Sequence, residues 1–174
     1  MILLPLALLV GSGVGNWNTD AAKAKVAFSV KGPLGTVHGE FTGLKATIQF
    51  DPKNPAAGSI SASIDPKTVS TGIGLRNHHL RNEEQYLNTD KYPSISFHSK
   101  KIEKTGSGYT ASGDLTLKGV NKPVQIPFTF SPSGNSGVFK GQFVIKRADF
   151  NIGGKPGGSV GDDITISLEI PVSQ

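Results

Sequence analysis

Reactive side chains crowd into one stretch, LRNHHLRNEEQYLNTDKYP at residues 75–93, where two histidines and two glutamates stand in adjacent pairs. A metal centre needs three or four ligands converging on one point. On a helix, His78 and His79 diverge by about 100°, so the two rings cannot grip one ion together. His79 and Glu83 stand four apart, a spacing that a helix-surface ion pair explains as well as a ligand pair does. His38 and His98 fall on the polar faces of alternating segments, and no HEXXH arrangement occurs. The histidines therefore define no metal site.

A nucleophile is the next possibility, because Gly157-Gly158-Ser159-Val160-Gly161 matches G-x-S-x-G. That chemistry needs the serine on a sharp turn between a strand and a helix. Here Ser159 sits in the glycine-rich GGKPGGSVGDD, and the alternating segment ITISLEI follows. The carboxylate pairs Glu83–Glu84 and Asp162–Asp163 are adjacent in sequence and establish no acid/base pair across a cleft. The expectation is no catalytic residue, no metal and no cofactor.

The elements around these residues follow a period of two. Val26, Phe28 and Val30 alternate with polar neighbours in KVAFSVK, and the pattern recurs through nearly all of the chain after Lys23. Such alternation marks half-buried antiparallel strands, here about eight or nine separated by Gly-Pro, Asp-Pro and Asn-Pro turns. Small residues recur on the apolar face (Gly39, Ala46, Ala62, Ala111, Gly113 and Gly141). They let strands coil into a barrel or leave space inside it, and eight strands enclose room for one small ligand. Periodicity alone equally permits a two-sheet sandwich acting as a protein-interaction module. With one Trp and three Tyr, the chain lacks the aromatic girdles of an outer-membrane barrel.

Residues 75–88 are the sole helix candidate. A helical wheel places Leu75, Leu80, Tyr86 and Leu87 on one apolar arc that also holds Arg76, His79 and Glu83. His78, Arg81, Asn82 and Gln85 point away.

Residues 2–10, ILLPLALLV, form an apolar run too short to span a bilayer but suited to the central region of a signal peptide. No basic residue precedes it. The division that follows is a signal peptide over 1–15 and one domain over 16–174, exported to the periplasm or secreted. The absence of cysteine excludes a lipoprotein anchor and thiolate chemistry. The net charge of +5 comes from scattered lysines, a solvated surface rather than a nucleic-acid face.

Four segments in order, FSVKGPLGTVHGEF (28–41), TGIGLRNHHLRNEEQYLNTDKYPSISF (71–97), GDLTLKGVNKPVQIPF (113–128) and KRADFNIGG (146–154), resemble the YceI family of polyisoprenoid-binding proteins. The resemblance covers about residues 17–173. It implies an all-β, extended, lipocalin-like, eight-stranded antiparallel barrel with one helix near residues 75–88. It also implies a tunnel for a long-chain amphiphile such as a polyisoprenoid, an isoprenoid quinone or a fatty-acid derivative, and no enzymatic activity. In such a tunnel the inward residues Phe28, Val30, Phe41, Ile48, Phe50, Phe97, Leu115, Phe128, Phe143, Ile145 and Phe150 are the expected lining. Arg76 and His79 would seat the helix or meet a head group. Transient membrane contact and a homodimeric state stay open. The chain has Asn77 and Asn88 where the family often carries Asp, so any contact there must do without a charge.

Overall fold

The computed structural model describes residues 14–174; the apolar run at 2–10, and with it all but the last two residues of the expected signal peptide, lies outside the described residues. Ten strand segments form one antiparallel sheet: β1 (Asn16–Thr19), β2 (Lys25–Gly32), β3 (Gly35–Phe41), β4 (Lys45–Gln49), β5 (Ser59–Ile64), β6 (Ile95–Thr105), β7 (Gly108–Leu117), β8 (Val120–Ser133), β9 (Ser136–Lys146) and β10 (Asp163–Ser173). Both β1 and β2 pair antiparallel with β10, at successive levels, so they are one interrupted strand. β3 pairs with β2 and β4 with β1, which makes β3 and β4 a second interrupted strand. The first interruption is a turn in which Lys23 and Ala24 donate backbone N–H groups to Asp20 O. The second contains Gly43 at φ +73, a left-handed conformation that glycine adopts without strain. Counted this way, eight strands close into a barrel, because β1 bonds to both β4 and β10. Closure excludes the two-sheet sandwich.

Alternation sets the inner face as expected along most strands. Along β7, Ala111, Gly113, Leu115 and Leu117 are all buried, and the residues between them are not. β6 departs from a strict period of two. A bulge between Ser99 and Lys101 shifts the register, so the inward residue changes from Phe97 to Ile102, which is fully buried. The extra residue brings the β6 backbone down onto Gly113, where any β-carbon would overlap His98 O. A bulge of this kind bends the strand and tightens its twist, which helps a sheet close on itself.

One end of the barrel is filled by aromatic rings. Phe50, 1% exposed, sits at its centre, with ring centroids 4.9 Å from Tyr109, 5.5 Å from Phe128, 5.4 Å from Phe130 and 5.5 Å from Phe139. Trp17 meets Phe130 edge-on at 5.0 Å and donates its indole N–H to Phe50 O at 3.0 Å, which anchors β1 to the plug.

The other end carries the long connections. Helix α1 spans Gly74–Asn82, shorter than the expected 75–88. Its last turn is closed by the returning chain: Leu87 N–H donates to Leu80 O and Thr89 N–H to Arg81 O. Tyr86 and Leu87 therefore reach the interior from a turn, not from a continued helix. This corrects the wheel. Leu75 is 66% exposed, whereas Arg81 turns inward and donates from Nη2 to Val69 O at 2.9 Å. Among the described residues no helix is long and apolar enough to cross a membrane.

Candidate functional site: an apolar barrel cavity

Between the aromatic plug and α1 lies a cavity of about 300 Å³. Its wall is almost wholly aliphatic and aromatic. Phe28, Val30, Phe41, Ile48, Phe97 and Leu115 line it, as do Phe128, Phe143 and Ile145. Phe50 and Phe150 do not. Phe50 stands behind Phe128 and Phe139 in the plug, and Phe150 is packed into a 3₁₀ turn over Arg147–Phe150 with 1% exposure. Alternation told which side of the sheet a ring faces but not how deep along the barrel it lies. Arg76 and His79 are also outside the lining. His79 Nε2 is 3.7 Å from Glu83 Oε1 on the helix surface.

The small inward residues have two uses. Ala46, Ala62 and Ala111 border the cavity and leave it wide, whereas Gly141 lets β8 come close, since a β-carbon there would stand 3.0 Å from Pro127 O. Gly39 instead lies under the Phe28 ring directly across the β2–β3 pair, where a β-carbon would overlap the ring. The cavity runs along the wall built by β2 and β10. Val26, Phe28 and Val30 on one strand and Ile164, Ile166 and Leu168 on the other are only partly buried.

Leu80, Tyr86 and Leu87 cover the loop end together with Ile152 and Val160 from the glycine-rich segment. That segment is organised by Arg147, a residue that reading for chemistry passed over. Its guanidinium is 2% exposed and also borders the cavity. Nε donates to Gly161 O at 3.0 Å. Nη1 donates to the carbonyls of Ile152, Gly153 and Gly154 at 3.1, 2.7 and 3.0 Å. Nη2 donates to Lys155 O at 3.0 Å, Val160 O at 3.3 Å and Asp162 Oδ1 at 3.2 Å. The glycines are needed because the loop wraps closely: Gly153 has φ +71, and a β-carbon there would press on Arg147 Nη1 at 3.3 Å. Gly153 N–H also donates to Gln85 O at 2.6 Å, tying the loop to the segment after α1. Ser159 is an exposed member of this loop, and a strand follows it, so the G-x-S-x-G match has no elbow geometry.

Charges around this end are structural. Lys118 donates to Asn151 O at 2.6 Å, and burial holds its ammonium below the usual lysine range. Lys146 pairs with Asp163, and that hydrogen bond raises the lysine above its usual range. Asn77 Oδ1 accepts from both Thr71 N and Thr71 Oγ1 at 2.8 Å, so the uncharged amide secures the approach to α1. Asn88 adopts φ 44, a left-handed turn position that asparagine tolerates. On the outer face, Ser61 Oγ lies 3.0 Å from His98 Nδ1. Among the described residues no three His, Cys, Asp or Glu side chains converge as a metal cage requires.

Residues 17–172 match the family model for the YceI-like domain. The chain belongs to the YceI-like family. A UPF0312 protein of Yersinia enterocolitica is 38% identical to it over 122 residues, which are 67% of this chain and 63% of that protein. The chain thus spans less than two thirds of the length of the curated relatives it matches. Among solved YceI-like structures, Burkholderia cenocepacia BcnA superposes with a TM-score of 0.84 at 29% identity, covering 90% of this chain and all of the other. The Campylobacter jejuni YceI protein superposes at 0.72 with 26% identity, covering 79% and 85% of the two chains. A polyisoprenoid-binding domain from Saccharophagus degradans shares the YceI-like fold at TM-score 0.68 and 17% identity, over 90% and 97%.

Proposed function

We propose that this protein binds one long-chain amphiphile, an isoprenoid or a fatty-acid derivative, inside its barrel, and carries or sequesters it without chemical change. The observation that carries this reading is a continuous apolar cavity in a closed barrel, bordered by Phe, Leu, Ile and Val from most of the strands. Moving a chain into such a space contributes about 0.8 kcal/mol for each CH₂ fully buried, offset in part by ordering the chain. The family match and the fold shared with a polyisoprenoid-binding domain support the ligand class. The apolar run at residues 2–10 supports export, so the cargo would be held outside the cytoplasm and exchanged with a membrane surface.

Native mass spectrometry of the purified protein, followed by organic extraction, tests the binding reading. The expected result is a co-purifying lipid or, after delipidation, one-to-one uptake of geranylgeraniol. A protein that is empty as purified and takes up no long-chain alcohol would sink it.

A further inference from the structure

The two ends of the cavity differ in chemistry, and the difference bears on what the ligand carries and which way round it lies. The floor is a double layer of rings. Phe128 and Phe139 face the void, with Phe130 stacked on Phe139 at 4.4 Å and Phe50 behind both. Phe128, Phe139, Ala111 and Ile170 at this end are all buried. At the loop end, Tyr86, Ile152 and Val160 are only partly buried, which makes it the accessible end. Phe139 and Arg147 stand eight residues apart on one wall. At ~3.3 Å per residue and a tilt of ~40°, that is a depth of roughly 20 Å. One leaflet's tails occupy ~15 Å, half of a ~30 Å hydrocarbon core, so the depth suits a single tail.

Among the described residues, the only guanidinium on the lining belongs to Arg147, and it has nothing left to offer a ligand. An arginine has five N–H groups, and here they face six backbone carbonyls and Asp162. Lys140 borders the cavity from an outward-facing position, with its side chain 62% exposed and its ammonium 4.0 Å from Glu169 on the outer surface. Ser63 and Ser96 also border it, from positions between the inward residues of their strands. A carboxylate drawn into this space would lose its water and gain no unoccupied cationic donor, which is costly.

We infer that the barrel is a single-mouthed sleeve for one uncharged amphiphile, with its tail end against the Phe128–Phe139 floor and its neutral head group at the Arg147 loop. This rests on the lipid-binding reading and narrows it: the saturated arginine selects against acids, and the ring floor limits the chain length held inside.

Trp17, the only tryptophan in the chain, reports on the floor because it packs on Phe130. Delipidated protein is titrated with hexadecanol brominated either at its last carbon or beside the hydroxyl, and separately with plain hexadecanol and palmitate at mildly alkaline pH. Quenching of Trp17 is expected from the tail-brominated alcohol and not from the head-brominated one. Palmitate should bind at least ~10-fold more weakly than hexadecanol. Across longer straight-chain alcohols, affinity should rise with length and then level off once the sleeve is full. Equal affinity for palmitate and hexadecanol, or stronger quenching by the head-brominated alcohol, overturns this inference while leaving lipid binding intact. If no alcohol binds, the carrier reading and this inference fall together.

Discussion

Arg147 shows how one buried charge can give a whole loop its shape. Its guanidinium gathers the carbonyls of a loop too rich in glycine to hold a shape by side-chain packing. Arg147→Met would leave six carbonyls without their donor and Asp162 without its partner. The expected loss is about 3–5 kcal/mol, as for removal of one member of a buried pair, read from the urea midpoint. Arg147→Lys keeps the charge but offers three donors in place of five, so it should recover only part of that loss. A loss below about 1 kcal/mol for the Met variant would show that the loop holds itself.

Helix α1 covers the cavity through Leu80, and its orientation decides which leucines matter. Leu75 faces solvent, while Leu87, 8% exposed, lines the cavity from the turn after the helix. Leu75→Ser should therefore change stability by no more than ~0.5 kcal/mol, within the range of ordinary surface substitutions. Leu87→Ala should cost about 2–5 kcal/mol, as for other buried leucines. A continued helix over 75–88 would make the two losses similar, so thermal or chemical denaturation of the pair tests the packing directly.

At the scale of the whole molecule, the barrel is closed unevenly. β7 and β10 are hydrogen-bonded to neighbours on both sides along most of their length. β3 is bonded to β2 on one side, but on the other, among the described residues, it has only the Glu40–Ser70 bridge, with Thr42 N just beyond it donating to Thr68 Oγ1. That seam lies beside Phe41 and Leu80 of the lining. Native-state hydrogen exchange should therefore show β3 amides opening at lower free energy than those of β7 and β10. Uniform protection around the ring would contradict a weak seam.

Strand character and inward-facing identity were legible in the sequence because period two is local: each residue's side follows from its neighbours. Four quoted segments were enough to suggest an eight-stranded barrel, and most of the inward residues named from alternation do line the cavity. What lay beyond reach was non-local. The bulge at Ser99–Lys101 swaps inside for outside by one extra residue, and nothing in SKK marks it. The helix end at Asn82 depends on chain returning from Leu87 and Thr89 to satisfy its carbonyls. Phe50 and Phe128 share an alternation pattern, yet one fills the plug and the other faces the void, because depth along a barrel depends on register across strands. Arg147 left the least trace, since its partners are mostly backbone carbonyls, which every residue carries. The sequence by itself determined which residues face inward along most strands. Only the tertiary structure decided where the interior is filled, where it is hollow and which charge is already satisfied, because those depend on residues far apart in the chain meeting at one level of the barrel.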